Sequence, residues 1–282
     1  MKDYKRDLQL CILDMIKDID KLCKKHNIEY YLAYGSCLGA VRHKGFIPWD
    51  DDFDIILKYD QYQKFLNICK KELDKKKYFV QTPETEPNYT LSFSKIRNIK
   101  TTLIEESNKD ENIVNGVYID VFPLVGYPKN KIKRKILEIN RAFTLSANRN
   151  VINNKFLHSI FLVILKVFGR KKILNYCTKR CVKYSCDSCE ELISVFDGDG
   201  ISISVYDKKV LGKPKIVKFE DINLPIPEDY DTYLKIIFGD YMKIPSKEQI
   251  ELKTHTPYIL DLNHSYEEYK KINSEKFNVN KE

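Results

Sequence analysis

With 282 residues, 43% of them hydrophobic and 31% charged, the chain can bury a sizeable core, and its composition excludes a disordered or fibrous protein. A net charge of +8 would suit a nucleic-acid partner if it were spread evenly, but it is not. Fifteen Lys or Arg and one acid, Glu138, fall between Lys129 and Lys183, a local +14 that leaves the rest of the chain acidic. The first residues, MKDYKRDLQL, are charged rather than apolar. They speak against a secretory leader, so the eight cysteines are expected to be reduced in a cytoplasm.

The spacing of Leu8, Ile12, Met15, Ile16, Ile19, Leu22 and Cys23 predicts an amphipathic helix over residues 4–26. Ile28 to Tyr34 then reads as a strand, broken by Gly35, with Ser36 placed to cap a short helix through Arg42. Pro48 sets the approach to a second strand, Phe53 to Leu57. Asp60 is a candidate cap for a helix over Gln61 to Leu73, and Tyr78 to Gln81 suits a short strand. Thr90 to Ile96 and Thr101 to Ile104 look like a strand pair turned at Arg97 to Lys100, and Gly116 to Pro123 like a buried strand that Pro123 stops. Residues 131–183 read as helical and basic, with an apolar run, Phe156 to Phe168, too short to span a bilayer. Short strands at Ile201 to Val205 and Lys215 to Phe219 and a helix over Tyr230 to Phe238 follow.

The densest chemistry lies in YGSCLGAVRHKGFIPWDDDFDIIL, Tyr34 to Leu57. Side chains on a strand alternate, so Asp52 and Asp54 leave one face while Phe53 and Ile55 enter the core. Two carboxylates side by side repel unless a cation lies between them, and hard divalent cations choose carboxylate oxygens. A third acid, Asp120, sits between Ile119 and Val121 on its own apolar strand. Three carboxylates on neighbouring strands can hold magnesium against a phosphate, and the Gly35-Ser36 turn can offer backbone N–H groups and a hydroxyl to the same ligand. Each element alone is common; an exposed strand edge would explain Asp52 and Asp54, and a structural hydrogen bond would explain Asp120. Of Asp50 and Asp51, one can meet a metal or substrate while the other caps the turn. Lys95 and Arg97 alternate on one strand face, where they can neutralise phosphates or serve as surface charges. Arg42 and His43 suit either phosphate or an anchor for the acidic turn, and Trp49 suits packing that fixes it.

The run Gly35 to Ile55 resembles the signature of the LicD family of phosphotransferases, related to fukutin-type proteins. Lys95-Ile96-Arg97, Gly116 to Leu124, and Phe238-Gly239-Asp240-Tyr241-Met242 with Pro245 are similar to further family motifs. Ser36 stands where many members have Thr, and Phe238 where Tyr is common. The resemblance covers roughly residues 8 to 256. It implies an α/β (α+β) fold with a nucleotidyltransferase-like mixed-sheet core over 27–125, a basic helical insertion over 126–190 and a closing portion over 191–282. It also implies magnesium-dependent transfer (manganese as a substitute) of phosphocholine or a similar phospho-alcohol from CDP-choline or another CDP-alcohol to a sugar hydroxyl of a glycan or lipid-linked glycan. Asp52, Asp54 and Asp120 would then be catalytic and metal-binding. Gly35, Ser36, Arg42, His43, Lys95, Arg97 and His255 would bind substrate. A true nucleotidyltransferase releasing pyrophosphate, or a non-catalytic glycan- or lipid-binding relative, are the alternatives. The aliphatic centre of the basic stretch favours lipid or core over nucleic acid, so residues 155–172 are a candidate contact with the inner face of a membrane. Cys177, Cys181, Cys186 and Cys189 have a spacing near that of zinc sites but not on it, and ordinary helix cysteines are the plainer reading.

Overall fold

The computed structural model describes residues 4–106, 109, 112–149, 163, 165–196, 203–253 and 257–269. Helix α1 runs over Tyr4–Lys25, with Asp7 in its first turn and Lys24 and Lys25 in its last, which complements the helix dipole. Leu8, Ile12, Met15, Ile16, Ile19, Leu22 and Cys23 are all buried, so the apolar stripe read from the sequence is the face that packs on the sheet. That sheet is mixed and seven-stranded. It is built on β1 (Tyr31–Leu32), β2 (Asp54–Lys58), β3 (Tyr78–Gln81), β4 (Ser94–Asn98), β6 (Val117–Tyr127), β7 (Glu191–Ser194) and β8 (Val205–Asp207). Its order is β1-β2-β6-β4-β3, with β7 joined to β6 and β8 to β7. Only β2 and β6 run parallel. The fold is thus of the mixed α/β kind expected.

Strand β6 is the axis of the sheet, and it corrects the sequence reading. Pro123 does not stop it; all eleven residues through Tyr127 are extended and buried. On one side β6 pairs with β2 from Asp120 to Leu124. On the other side β4 pairs only as far as Val121, and β7 takes over at Leu124. Backbone N–H groups alternate between the two sides of a strand, and the Asp120 N–H donates toward β2. The missing N–H of Pro123 therefore falls on the other side, in the seam between β4 and β7, where no ladder bond is lost.

Other departures are local. β1 is two residues long because Tyr34, at φ +42°, turns the chain directly into helix α2, Tyr34–Leu38. That helix has Ala33 at its N-cap, with no side-chain cap, and a π-helical turn, Gly39–His43, continues it. Helix α3 starts at Tyr59, straight off the end of β2, with Lys58 rather than Asp60 at its N-cap. β5 (Thr102–Glu105) does not pair with β4; its partner is β11 (Pro257–Asp261), far along the chain. The strand expected over Ile201 to Val205 meets the observed β8 only at Val205: residues 203 and 204 are not in a strand, and 201 and 202 lie outside the described residues.

After β6 comes helix α4, Lys131–Arg149, packed on a helix over Arg170–Cys181. Residues 150–162 and 164, most of the apolar run, lie outside the described residues. Among the described residues no helix is long and apolar enough to cross a membrane. All eight cysteines are free thiols, and among the described residues no three of them converge on one point. A hairpin of β9 (Lys215–Phe219) and β10 (Ile222–Ile226) leads to the Tyr230–Phe238 helix, capped by the Asp229 carboxylate accepting from the Thr232 N–H.

Candidate active site

Across the sheet the register puts four polar side chains in a row. Asp54 is the partner of Asp120 on the parallel pair β2–β6, Asp120 of Lys95 on β4, and Lys95 of Gln81 on β3. Register partners leave the same face of a sheet about 5 Å apart. Asp54 and Asp120, 66 positions apart in sequence, are thus made neighbours by strand pairing alone. The start of β2 is fixed by Ser36, whose Oγ accepts from the Asp54 N–H at 2.9 Å, and by the Ala33 N–H donating to the Asp54 carbonyl. Ser36 is buried, so its hydroxyl joins α2 to β2 instead of capping the helix.

The charges in this row are poorly compensated. Burial first, then the nearby Asp52, Asp120 and Asp50, push the Asp54 carboxyl well above the usual carboxylate range. Asp120 is also raised by burial, against the opposing charge of Lys95. The Lys95 ammonium lies 2.8 Å from the buried Asp120 Oδ1, a close ion pair across the two strands. Lys95 itself is buried, sits 3.3 Å from the Tyr118 ring centroid, and is pushed below its usual basicity chiefly by burial. Lys95, with Arg97 near Asp120 and Lys5 near Asp50, offsets only part of this negative charge, and Asp54, Asp120 and Asp50 all stay raised.

Asp50, Asp51 and Asp52 supply the rest. One ligand oxygen from each lies within 4.8 Å of the others, the closest carboxylate group among the described residues. Both Asp50 and Asp51 thus stand with Asp52, and the turn is shaped by other residues. Gln9 of α1 donates to the carbonyls of Ile47 and Asp50 at 3.1 and 2.9 Å, and Lys5 to that of Trp49 at 3.2 Å. A Cβ at Gly35 would meet Asp50 Oδ2 at 2.6 Å, so a larger residue there would push that carboxylate aside. Burial, with Asp52 and Asp51, pushes Asp50 well above the usual range too. Asp52 is in electrostatic range of Asp54, but Asp52, Asp54 and Asp120 do not close to within 4.8 Å as one set. The donors suit a hard divalent cation: they are carboxylate oxygens, crowded, buried at Asp54 and Asp120 and half-buried at Asp50 to Asp52.

The predicted cations divide. Lys95 stays among the carboxylates, whereas Arg97 is fully buried, donating from Nε to Gln81 Oε1 at 2.6 Å and from Nη1 to the Gly116 carbonyl at 2.8 Å. Its guanidinium stacks 4.8 Å from the Tyr118 ring and braces the strands behind Lys95. Arg42 donates to the Tyr241 carbonyl at 2.6 Å and lies over the Trp49 ring, and His43 meets Trp49 edge-on at 5.8 Å. Burial lowers both Arg42 and His43. This pair couples the π-turn to the segment after the Tyr230–Phe238 helix. His255 lies outside the described residues. The sequence did not single out Glu220, which holds the other end of the acidic loop. Its carboxylate accepts from the Phe46 N–H at 3.2 Å and from both Arg6 Nη groups at 3.1 and 2.8 Å. No motif marks it; its role comes from the β9–β10 hairpin folding back on residues 44–46.

Residues 27–153 match the LicD family, described as "LicD/FKTN/FKRP, nucleotidyltransferase domain". Over that stretch this chain is similar to the LicD family. The lipopolysaccharide cholinephosphotransferase LicD of Haemophilus influenzae is 27% identical over 259 residues, covering 86% of this chain and 93% of that protein. Two uncharacterised rickettsial proteins match shorter stretches. One, from Rickettsia prowazekii, is 36% identical over 81 residues, which spans 30% of its length; the other, from Rickettsia typhi, is 42% identical over 59 residues, spanning 19%. The matched stretch contains Asp50, Asp51, Asp52, Asp54 and Asp120, but Arg6, Gln9, Glu220 and Tyr241, which hold the acidic loop and its flank, lie outside it.

Proposed function

We propose that this protein is a divalent-metal-dependent transferase. It moves phosphocholine, or a similar phospho-alcohol, from a CDP-activated donor to a sugar hydroxyl of a cell-surface glycan or its precursor. The observation that carries this reading is the pairing of buried Asp54 and Asp120 on adjacent parallel strands, with Asp52 and Asp50 in electrostatic range of Asp54. The relative named for cholinephosphate transfer to lipopolysaccharide, aligned over nearly all of both chains, supports the same chemistry.

Asp52 and Asp54, with Asp120 across the strand pair, would hold magnesium or manganese, which supplies the charge that neutralises the donor's diphosphate. Burial raises Asp120, which favours proton uptake, so its carboxylate would serve as base to the acceptor hydroxyl. Lys95, paired with Asp120, keeps that carboxyl oriented and adds a positive charge where the leaving CMP develops its own negative one. The α2 start at Gly35 and Ser36 sets the distance between the acidic loop and β2, and hence the width available to the diphosphate.

Incubating the protein and magnesium with a panel of CDP-alcohols and a glycan acceptor tests this reading. Release of CMP with transfer of the phospho-alcohol is the expected result. The family domain's description as a nucleotidyltransferase favours one rival, in which the nucleotide stays on the acceptor. Pyrophosphate released from CTP, with no CMP from any CDP-alcohol, would establish that rival instead.

A further inference from the structure

Helix α4 turns one face to the protein and leaves another uncovered. Leu137, Asn140, Arg141, Thr144 and Leu145 are buried, and Arg141 donates to the Val195 carbonyl at 3.0 Å. On the exposed arc lie Ile132, Ile136 and Ile139, at 72%, 37% and 46% exposure, spaced by four and three residues so that they form one stripe. Exposed isoleucines are ordinary when single; three in a row on one helix face are not. Lys131 and Lys135 flank the stripe on one side and Lys133 on the other. Arg134 is spent on the Pro128 carbonyl and Glu191, and among the described residues Lys135 meets Glu138 alone, at 3.4 Å. Lys131 and Lys133 meet no acid among the described residues. The same polarity recurs farther on, where Val163, Val167 and Phe168 are 60%, 68% and 60% exposed beside Lys166 and Lys172.

We propose that the Ile132-Ile136-Ile139 face of α4 docks on an anionic phospholipid surface, with the isoleucines entering the headgroup boundary and Lys131 and Lys133 contacting lipid phosphates. Two observations select lipid over a protein partner or a second copy. The whole 129–183 segment is strongly cationic, which opposes packing it against itself and complements an anionic bilayer. The apolar stripe is aliphatic, without the aromatic anchors that dominate protein interfaces. An amphipathic face rimmed by lysines is the form that binds in the interface plane without crossing it. The docking does not depend on which donor the acid site uses, so it stands or falls separately from the transfer reaction.

Flotation of the full chain with vesicles of phosphatidylcholine alone, or mixed equally with phosphatidylglycerol, tests this. The wild type should float with the mixed vesicles and not with the neutral ones, and added salt should weaken binding. Ile132→Ser/Ile136→Ser should lower partitioning at least about tenfold. Lys131→Glu/Lys133→Glu should lower it on the order of a hundredfold. Both sites are on an exposed face, so circular dichroism and turnover of a soluble acceptor should match the wild type. Absence of binding to mixed vesicles, or undiminished binding by both variants, overturns the proposal. So does a lipid-independent dimer that Ile132→Ser/Ile136→Ser dissociates, because the stripe would then be a contact between copies.

Discussion

Along β6 the chain buries Asp120 and sets Lys95 against it at 2.8 Å; four residues past the end of that strand it presents Lys131 and Lys133 to solvent around an isoleucine that is 72% exposed. One region concentrates negative charge where water is scarce, and the other spreads positive charge where water is plentiful. The two have different energetic consequences. Buried carboxylates that crowd one another cost stability unless a proton or cation joins them, so this group points to a ligand. Exposed lysines cost almost nothing, so their presence informs about partners only through the apolar stripe they frame.

The contrast predicts effects of graded size. Asp54→Asn should lower turnover about a thousandfold or more, while the melting temperature holds or rises because a buried charge that repels its neighbours has gone. Steady-state kinetics beside a thermal melt reads both, and a large drop in melting temperature would make Asp54 a structural acid instead. Lys95→Met should cost about 3–5 kcal/mol in a denaturant titration, since Asp120 is left buried without its partner; adding Asp120→Asn should restore much of that. Additive losses in the double variant would break the pairing.

Smaller effects are expected at the supports. Glu220→Ala should cost about 1–3 kcal/mol by leaving the Phe46 N–H and Arg6 unmet, and should raise KM by loosening the acidic loop. The Arg6 and Phe46 contacts hold the Glu220 carboxyl below its ordinary value, so its contribution is present at neutral pH and fades as pH falls through that lowered value. The melting-temperature gap between wild type and Glu220→Gln should therefore shrink as pH falls below the ordinary glutamate range, and a gap that widened would reverse the sign. Ile132→Ser should be smallest of all, within about 0.5 kcal/mol, because the side chain touches little but solvent.

The acids were legible because they interrupt apolar strands: Asp54 and Asp120 each stand in a run that otherwise reads as core. Their adjacency was not, since register between strands 66 positions apart is set by the whole sheet and has no local signal. The same reason explains the mistaken pairing of β4 with β5, which are near in sequence but belong to different sheets. Pro123 misled because its cost depends on which side of the strand its nitrogen faces. Arg97 and Lys95 alternate identically in sequence, and only Gln81 and the Gly116 carbonyl distinguish them. Ser36 read as a cap because a hydroxyl at a helix start normally bonds within the helix, whereas here the Asp54 N–H lies nearer.

Manganese binding followed by electron paramagnetic resonance, with and without CDP-choline, tests the central claim most directly when wild type and Asp54→Asn are compared. The wild type should bind the ion, more tightly with the nucleotide present, and the variant should lose both the binding and the enhancement. Equal manganese affinity in the two proteins would place the cation elsewhere and remove the acids of β2 and β6 from the chemistry.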